Sequence, residues 1–276
     1  MTPLERAKID RGTIFGVLLA VAGVVAGLLL DGGTLRQILQ PTAALIVLGG
    51  TIGAIMVQFS MRTIKETLGQ LRHVLFNTDP ISRDYIDKIT DCCIQVRKNG
   101  ILALDQRLAT ITDPFLRKAL TFAIDGLPVR ELRTIMEIDL DLLEEREDET
   151  SHVLDAAGGF APTFGIIGAV VGLIQVMQRM DDISQIGKGI AVAFVSTLYG
   201  IGVANLLFLP LAGKLKSRFR QRQIMREMTL DAVILIVEGI SARALKERLE
   251  AYLHTVETKT KAKTKKPVKA AVQVSR

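Results

Sequence analysis

Hydroxyl groups, prolines and small residues form a regular pattern in two apolar segments of this 276-residue chain, residues 156–177 and 189–213. Neither segment contains Asp, Glu, Lys, Arg or His, and Thr197 contributes a hydroxyl to the second. A protein that moves ions through a membrane usually carries an ionisable group at membrane depth, because the ion must be held there. If this chain conducts ions, a partner must therefore supply the titrating carboxylate.

Small residues recur along both segments at a spacing that lets two helices approach closely. Residues three or four apart share one face of a helix, and small-xxx-small patterns allow close backbone contact in membranes. The pattern comprises Gly165, Gly168 and Gly172 in the first segment and Ser196, Gly200 and Ala204 in the second. Two interpretations stay open: packing within one chain, or a seam for other copies or partner helices.

Two prolines, Pro162 and Pro210, lie inside the same segments. Each proline frees a backbone carbonyl and permits a bend, but prolines are common in membrane helices and do not by themselves indicate gating. A lone membrane threonine such as Thr197 usually bonds to a carbonyl of its own helix.

Other kinds of site find little support in the sequence. His73, His152 and His254 are scattered, with no cluster of ligands at metal-binding spacing, and no phosphate loop, nucleophile elbow or zinc-protease motif is present. Cys92 and Cys93 are adjacent and cannot make a disulfide framework, so we interpret them as buried, inert thiols. The sequence therefore predicts neither an enzyme nor a cofactor or metal site.

The elements that must position these residues are membrane helices. Apolar residues make up 49% of the chain and aromatic residues only 5%, and mean hydropathy is +0.31. A helix needs about 20 apolar residues to cross the hydrocarbon core. Four uncharged apolar runs meet that length: Gly12 to Leu30, Pro41 to Ser60, Ala156 to Met177, and Gly189 to Gly213.

Basic residues give the orientation of these spans. The two short connections hold only Arg36, Arg179 and Lys188 of the 35 basic residues. The positive-inside rule therefore places the N-terminus, the segment between spans two and three, and the C-terminus in the cytoplasm. The basic tail follows a span and has few aromatic residues, which favours binding to anionic lipid and argues against nucleic acid.

The predicted fold class is an all-α membrane protein with four transmembrane helices and a helical cytoplasmic domain between spans two and three. That domain is indicated by apolar residues at helical spacing and by helix-ending residues such as Asn99-Gly100 and Gly126-Leu127-Pro128. The tail beyond Thr255 is too polar to pack and is predicted to be disordered. The predicted segments are 1–60 (spans one and two), 61–155 (cytoplasmic domain), 156–213 (spans three and four with a periplasmic turn) and 214–276 (cytoplasmic helix and tail).

Two stretches carry a resemblance to a known family. Ala161-Pro-Thr-Phe-Gly-Ile-Ile-Gly-Ala-Val-Val-Gly-Leu and Gly189-Ile-Ala-Val-Ala-Phe-Val-Ser-Thr-Leu-Tyr-Gly-Ile-Gly-Val-Ala-Asn closely resemble the MotA/TolQ/ExbB family. The order of two spans, a cytoplasmic domain and two more spans is similar to its flagellar stator branch, whereas the TolQ and ExbB branches would predict three spans. A third similar stretch is Arg97-Lys-Asn-Gly-Ile-Leu-Ala-Leu-Asp105.

The resemblance implies a ring of such subunits in the bacterial inner membrane, around a dimer of MotB-like single-span partners. The membrane Asp of that partner would take up and release the ion, and the complex would turn ion flow into torque on a FliG-like rotor protein. Carried over residue by residue, Pro162 and Pro210 would mark bend points, Thr197 would face the ion path, and Arg97 and Asp105 would contact the rotor.

The sequence departs from the family pattern at three positions of span three. Gly159 lies where many relatives have an acid, which places ion uptake there in doubt, and Thr163 lies where Ala is frequent. Sodium-driven relatives have a Thr seven residues after the proline, and this chain has Ala169. With Thr197 as the single matching hydroxyl, the resemblance favours the proton as the ion.

Two alternatives remain from the sequence. One is an energiser of envelope transport of the ExbB/TolQ kind, which a TonB-like partner would favour. The other is a membrane scaffold that conducts nothing and tolerates substitution of Pro162 and Thr197.

Overall fold

Helices form nearly all of the part of the chain that the computed structural model describes, which is residues 8–9, 11–74, 76–77, 83–178 and 183–252. The predicted disordered tail beyond Thr255 and residues 179–182 of the connection between spans three and four lie outside the described residues. Within them, the predicted helical fold class is confirmed. The strands there are a two-residue antiparallel pair, β1 (Lys8–Ile9) with β2 (Phe76–Asn77).

The helices follow the apolar runs and the punctuation between them. Up to residue 124 they are α1 (Arg11–Leu30), α2 (Leu35–Ile38), α3 (Pro41–Gln58), α4 (Met61–Val74), α5 (Arg83–Asn99), a 3-10 turn (Ile101–Leu104), α6 (Asp105–Leu108) and α7 (Pro114–Ile124). Then come α8 (Val129–Gln178), α9 (Ile183–Val203), a π-helical segment (Ala204–Phe208), α10 (Leu209–Val237) and α11 (residues 242–252).

Among the described residues, three helical stretches are long and apolar enough to cross a membrane. They are Pro41–Gln58, a part of Val129–Gln178 and a part of Ile186–Val237, and Phe15–Leu30 forms a shorter apolar helix. Large apolar side chains such as Leu30, Val57 and Phe194 are exposed on these helices. In water such faces would be unfavourable, so the exposure is typical of helices that contact lipid or other membrane helices.

The chain divides into two compact units, whose boundaries fall inside α8 and α10 as well as after α4. The first unit takes the described residues of 1–78 and 146–218, and it includes α1 to α4, α9 and the π-helical segment. Here α3 packs on α9, and a Cβ added to Gly50 would overlap the Phe164 ring.

The second unit takes the described residues of 79–145 and 219–276 and has an apolar core of its own. Its fully buried large side chains are Ile86, Ile89, Leu104, Leu120, Leu132, Met136, Met228, Ile234, Leu245 and Leu249. Four of these lie in α10 and α11, so the chain after residue 219 builds part of this core. The sequence had predicted a helix there and no such packing.

Candidate functional site

The glycines of α8 and α9 bring the two helix backbones into direct contact in the first unit. A Cβ added to Gly165 would lie 3.0 Å from the Ser196 carbonyl oxygen and 3.3 Å from the Thr197 Cα. A Cβ on Gly172 would lie 2.8 Å from the Ala193 amide nitrogen, and one on Gly200 would lie 2.5 Å from the Ala161 carbonyl oxygen. Backbone atoms cannot turn aside as a flexible side chain does, so these positions require glycine.

We call the contact between α8 and α9 at Gly165, Gly168, Gly172 and Gly200 the glycine seam. Ser196 lies in the middle of this seam and is fully buried. Its hydroxyl is the buried side-chain polar group without a hydrogen-bond partner among the described residues. A Cβ added to Gly168 would lie 2.6 Å from the Ser196 Oγ and 3.4 Å from the Ile46 Cγ2, so α3, α8 and α9 meet at this level. An unpaired buried hydroxyl costs about 1–3 kcal/mol, which marks this turn of α9 as imperfectly satisfied.

Thr197 is half-buried, and its Oγ1 donates a hydrogen bond of 3.3 Å to the Ala193 carbonyl of its own helix. Ala169 is half-buried on α8, next to Gly168 of the seam. Because alanine lacks a hydroxyl, Thr197 is the residue of this predicted pair that can offer an oxygen. Thr163, by contrast, is exposed and donates a 2.7 Å hydrogen bond to the Phe160 carbonyl of its own helix.

Pro162 lies inside α8, at a level where the backbones of α8 and α9 are in contact. Its Cα would be 3.1 Å from a Cβ on Gly200. Proline has no amide hydrogen for the carbonyl four residues earlier, that of Gly158, which loses its usual helical partner. The seam and the proline thus coincide at one level of the helix pair.

Pro210 lies at the start of α10, directly after the π-helical segment that begins at the buried Ala204. A proline ring clashes with the carbonyl four residues earlier in a regular helix, and the wider π turn relieves that crowding. In this segment the Leu209 amide donates to the Ala204 carbonyl, and the Asn205 side chain donates to the Ile201 carbonyl at 2.9 Å. The π-helical segment directly before Pro210 is therefore a local change in helix winding that accommodates the proline.

Tyr199 makes a long-range contact that the sequence did not predict. Its phenol donates a 2.7 Å hydrogen bond to the Ile38 carbonyl and accepts one of 3.3 Å from the Gln40 amide. Ile38 is the last residue of α2 and Gln40 is the residue before α3, and we call residues 38–40 the α2–α3 link. Nothing in the local sequence around Tyr199 points to a partner so far away along the chain.

A salt bridge links the two long helices α8 and α10 within the first unit. The Lys216 ammonium lies 2.5 Å from an Asp155 carboxylate oxygen, just outside the apolar segments of α8 and α10. Both side chains are partly exposed, so the pair adds little stability, about 0–1 kcal/mol for exposed pairs.

The predicted rotor-contact residues lie in the second unit, on either side of a turn. Arg97 is in the last turn of α5, and Asp105 begins α6, and both side chains are exposed. Gly100 between them has a φ of 79°, which favours glycine. Leu104 is fully buried and anchors the turn, whereas Leu102 is 71% exposed. The turn thus presents charged side chains and one apolar side chain on a fixed base.

Asp113 organises a polar cluster in the same unit. Its carboxylate caps α7 by accepting from the Phe115 amide at 2.8 Å and the Leu116 amide at 3.3 Å. The Tyr85 hydroxyl donates to Asp113 at 2.7 Å and lies 2.9 Å from the Thr229 hydroxyl. Burial, together with the nearby Asp113 charge, raises the pKa of Tyr85. Because Asp113 is the N-cap of α7, we interpret this cluster as part of the fold and not as a functional site.

The two cysteines are buried in the core of the second unit. Burial raises the pKa of both thiols, and the Cys93 sulfur lies 3.5 Å from the Ile240 carbonyl oxygen. A raised pKa keeps the thiol protonated and less reactive at neutral pH. In the part of the chain that the structure describes, no three His, Cys, Asp or Glu residues are grouped to hold a metal ion.

Comparison with known proteins links these features to one family. The family profile described as MotA/TolQ/ExbB proton channel family matches residues 107–228, and the profile described as Motility protein A N-terminal matches residues 14–98. Motility protein A of Bacillus subtilis (strain 168) is 32% identical over 246 residues, which cover 88% of this chain and 91% of that protein.

Two solved structures are similar over most of the chain. The structure of C. jejuni MotAB has a TM-score of 0.82 and 30% identity, covering 88% of this chain and 96% of the matched one. The flagellar MotAB stator complex from Bacillus subtilis has a TM-score of 0.80 and 29% identity, covering 90% of this chain and 99% of the matched one.

Proposed function

Because the chain belongs to the MotA/TolQ/ExbB proton channel family, we propose that it is a flagellar motor stator subunit that works with a MotB-like partner. The complex conducts an ion, the proton, and converts its flow into torque on the rotor. The protein acts as a channel subunit and not as an enzyme. The solved MotAB complexes that this chain resembles support the pairing with a MotB partner.

The observation that carries this proposal is the glycine seam beside Pro162, in segments without an ionisable side chain. A helix pair in backbone contact moves as one piece, and a proline at the contact gives that piece a place to bend. Since the apolar segments lack a titrating group, a carboxylate on a partner helix must hold the ion. A two-component channel follows from this division of roles.

In the proposed mechanism, the ion passes between α8 and α9 of this chain and the partner helix. Thr197 offers the one hydroxyl of the predicted pair, and Ala169 faces the path without one. Protonation and release at the partner's Asp change its charge, and the helices respond by bending at Pro162 in α8 and at Pro210, where α10 begins. Several copies of this chain form a ring around the partner, so successive ion transfers drive relative rotation.

The proposed topology has four spans in the bacterial inner membrane, with both termini in the cytoplasm. Three helical stretches of sufficient length and the apolar helix Phe15–Leu30 support four crossings. The distribution of basic residues supports the orientation. We retain the predicted segments 1–60, 61–155, 156–213 and 214–276 for this arrangement.

The proposed rotor contact uses Arg97 and Asp105 at the turn of the second unit. Exposed charges of both signs promote fast and reversible engagement with a complementary surface, as a moving rotor requires. The exposure of both side chains supports this role.

Deleting the gene and comparing flagellation with swimming tests the proposed function. We expect cells with intact flagella that do not rotate, and recovery of swimming when the gene is returned on a plasmid. Cells that lose their flagella, or that swim normally without any other stator, would contradict it. A transport defect in the envelope with normal swimming would favour an ExbB/TolQ-like energiser.

A further inference from the structure

Tyr199 joins α9 to the link between α2 and α3 through a single phenol group. The hydroxyl donates to the Ile38 carbonyl at 2.7 Å and accepts from the Gln40 amide at 3.3 Å. One side chain thus bonds two backbone groups that lie two residues apart. Because both hydrogen bonds must form together, they restrict the orientation of the Tyr199 side chain as well as its distance from the backbone.

Two backbone groups of the α2–α3 link, the Ile38 carbonyl and the Gln40 amide, have no hydrogen-bond partner within α2 or α3. Ile38 ends a helix of four residues, so its carbonyl has no amide further along the same helix to accept from. Gln40 is the N-cap of α3 and precedes Pro41, so its amide lies ahead of the first helical turn. Backbone groups left unpaired next to apolar helices are unfavourable, and the Tyr199 phenol satisfies both.

Residues on either side of Tyr199 belong to the proposed ion path and its seam. Gly200, the next residue, contacts the α8 backbone at Ala161 and Pro162. Thr197 lies two residues earlier, within the same helical turn. Consecutive residues point about 100° apart around a helix, so Tyr199 and Gly200 hold this turn from two directions.

In the part of the chain that the structure describes, this turn of α9 is hydrogen-bonded to another helix through Tyr199, whereas Gly165 and Gly168 of α8 hold it by packing alone. The Thr197 hydroxyl bonds only weakly, at 3.3 Å, and to its own helix. The π-helical segment begins at Ala204, one turn later, and its altered winding separates this part of α9 from α10. The direction in which Thr197 points therefore depends on the hydrogen bonds of Tyr199 together with the glycine packing against α8.

We propose that Tyr199 is a positioning residue for ion passage: its bonds to the α2–α3 link hold the turn of α9 that presents Thr197 to the ion path. This role rests on the proposed stator function. Removing the phenolic oxygen leaves the helix and its seam in place but frees the turn to rotate. The rate of ion-driven rotation by each assembled stator should then fall.

Stepwise recovery of motor speed provides the test, because it separates how many stators assemble from how well each works. The chain is expressed gradually in cells without another stator, and a bead on the flagellum reports each added unit as a speed step. Tyr199→Phe removes only the hydroxyl, and 4-aminophenylalanine at position 199 restores a donor at the same place. Thr51→Val is the matched control, since its buried hydroxyl bonds only to Val47 of its own helix, at 2.6 Å.

We expect Tyr199→Phe to give the normal number of steps with a height lower by about two- to tenfold, the range by which one lost hydrogen bond shifts an equilibrium. The 4-aminophenylalanine variant should recover most of the height, and Thr51→Val should match the wild type. Unchanged step height in Tyr199→Phe would overturn the proposal. Fewer steps of normal height, or no assembly, would also overturn it by assigning Tyr199 a purely structural role. If the wild type gives no steps, the stator function itself fails.

Discussion

A methyl group on Gly200 would lie 2.5 Å from the carbonyl oxygen of Ala161, the residue before Pro162. This distance is too short for any carbon and oxygen that are not bonded, and the oxygen belongs to a backbone that cannot turn away. The contact therefore fixes how closely α8 and α9 approach at the level of the proline. It also makes Gly200 a sensitive probe of the seam.

Gly200→Ala should force the two helices apart and stop swimming. Inserting a methyl group into a packed contact costs about 1–3 kcal/mol, and here the strain falls on the backbone next to Pro162. Gly202→Ala is the matched control on the same helix, because a Cβ there meets nothing within 4 Å. Swimming in soft agar and the amount of membrane-inserted protein check both variants. Equal motility of the two would show that the seam tolerates separation.

Ser196→Ala should leave swimming intact and stabilise the purified complex by about 1 kcal/mol, because it removes a buried hydroxyl without a partner. Ser151→Ala is the control with the same chemical change. The Ser151 hydroxyl is buried as well, but it donates to the Asp148 carbonyl at 2.9 Å, so its loss should not stabilise. Thermal unfolding in detergent measures the difference. A lower melting temperature for Ser196→Ala would mean that its hydroxyl has a partner in the assembled complex.

Local sequence patterns were enough to predict the helices and the small residues of the seam. The three- and four-residue spacing of Gly165, Gly168 and Gly172 selects one helix face, and that face contacts α9. Spacing could not decide which partner the face meets, because neighbouring chains and the same chain offer similar grooves. The structure shows that, within one chain, this glycine face of α8 contacts α9.

Contacts between distant residues could not be predicted from the sequence. Tyr199 and Ile38 are 161 positions apart, and neither has a local signal for the other. Likewise, Leu245 and Leu249 are four residues apart, a helical spacing, but only the fold brings them into one core with Met228, Ile234 and Leu132. Periodicity reports which face of a helix is apolar, whereas the choice of partner depends on the whole chain.

Pro162 is predicted to shape coupling more than folding, because a membrane helix accommodates proline and can use the bend as a two-position element. Pro162→Leu should insert and assemble but abolish swimming. Pro162→Ala separates the two possible causes, since it restores the amide without adding a large side chain near Gly200. If the bend matters, both variants fail. Normal swimming in Pro162→Ala would assign the effect to steric bulk alone, and normal swimming in Pro162→Leu would remove any role for the residue.

Arg97 and Asp105 are predicted to act through their charges at the rotor. Arg97→Glu should impair swimming, and reversing an acidic charge on the rotor surface should partly restore it, because complementary charge governs such engagement. Arg130→Glu is the control: Arg130 is exposed in the same unit, in the first turn of α8, where an acidic residue suits the helix dipole. Swimming speed measures the effect. The assignment fails if Arg97→Glu combined with Asp105→Lys swims like the wild type.

The ion is predicted to be the proton. A sodium ion must exchange its hydration shell for several oxygen ligands, whereas a proton needs only a titratable group and water. At the predicted pair of positions in α8 and α9, Ala169 offers no oxygen and Thr197 offers one, and the Thr163 hydroxyl donates to the Phe160 carbonyl of its own helix. Thr163 is also six residues from Ala169, nearly two helical turns away, so it cannot substitute directly. Cells relying only on this stator should therefore keep their swimming speed when sodium is replaced by potassium. The same cells should stop when a protonophore collapses the proton gradient, and strict dependence of speed on sodium would overturn the assignment.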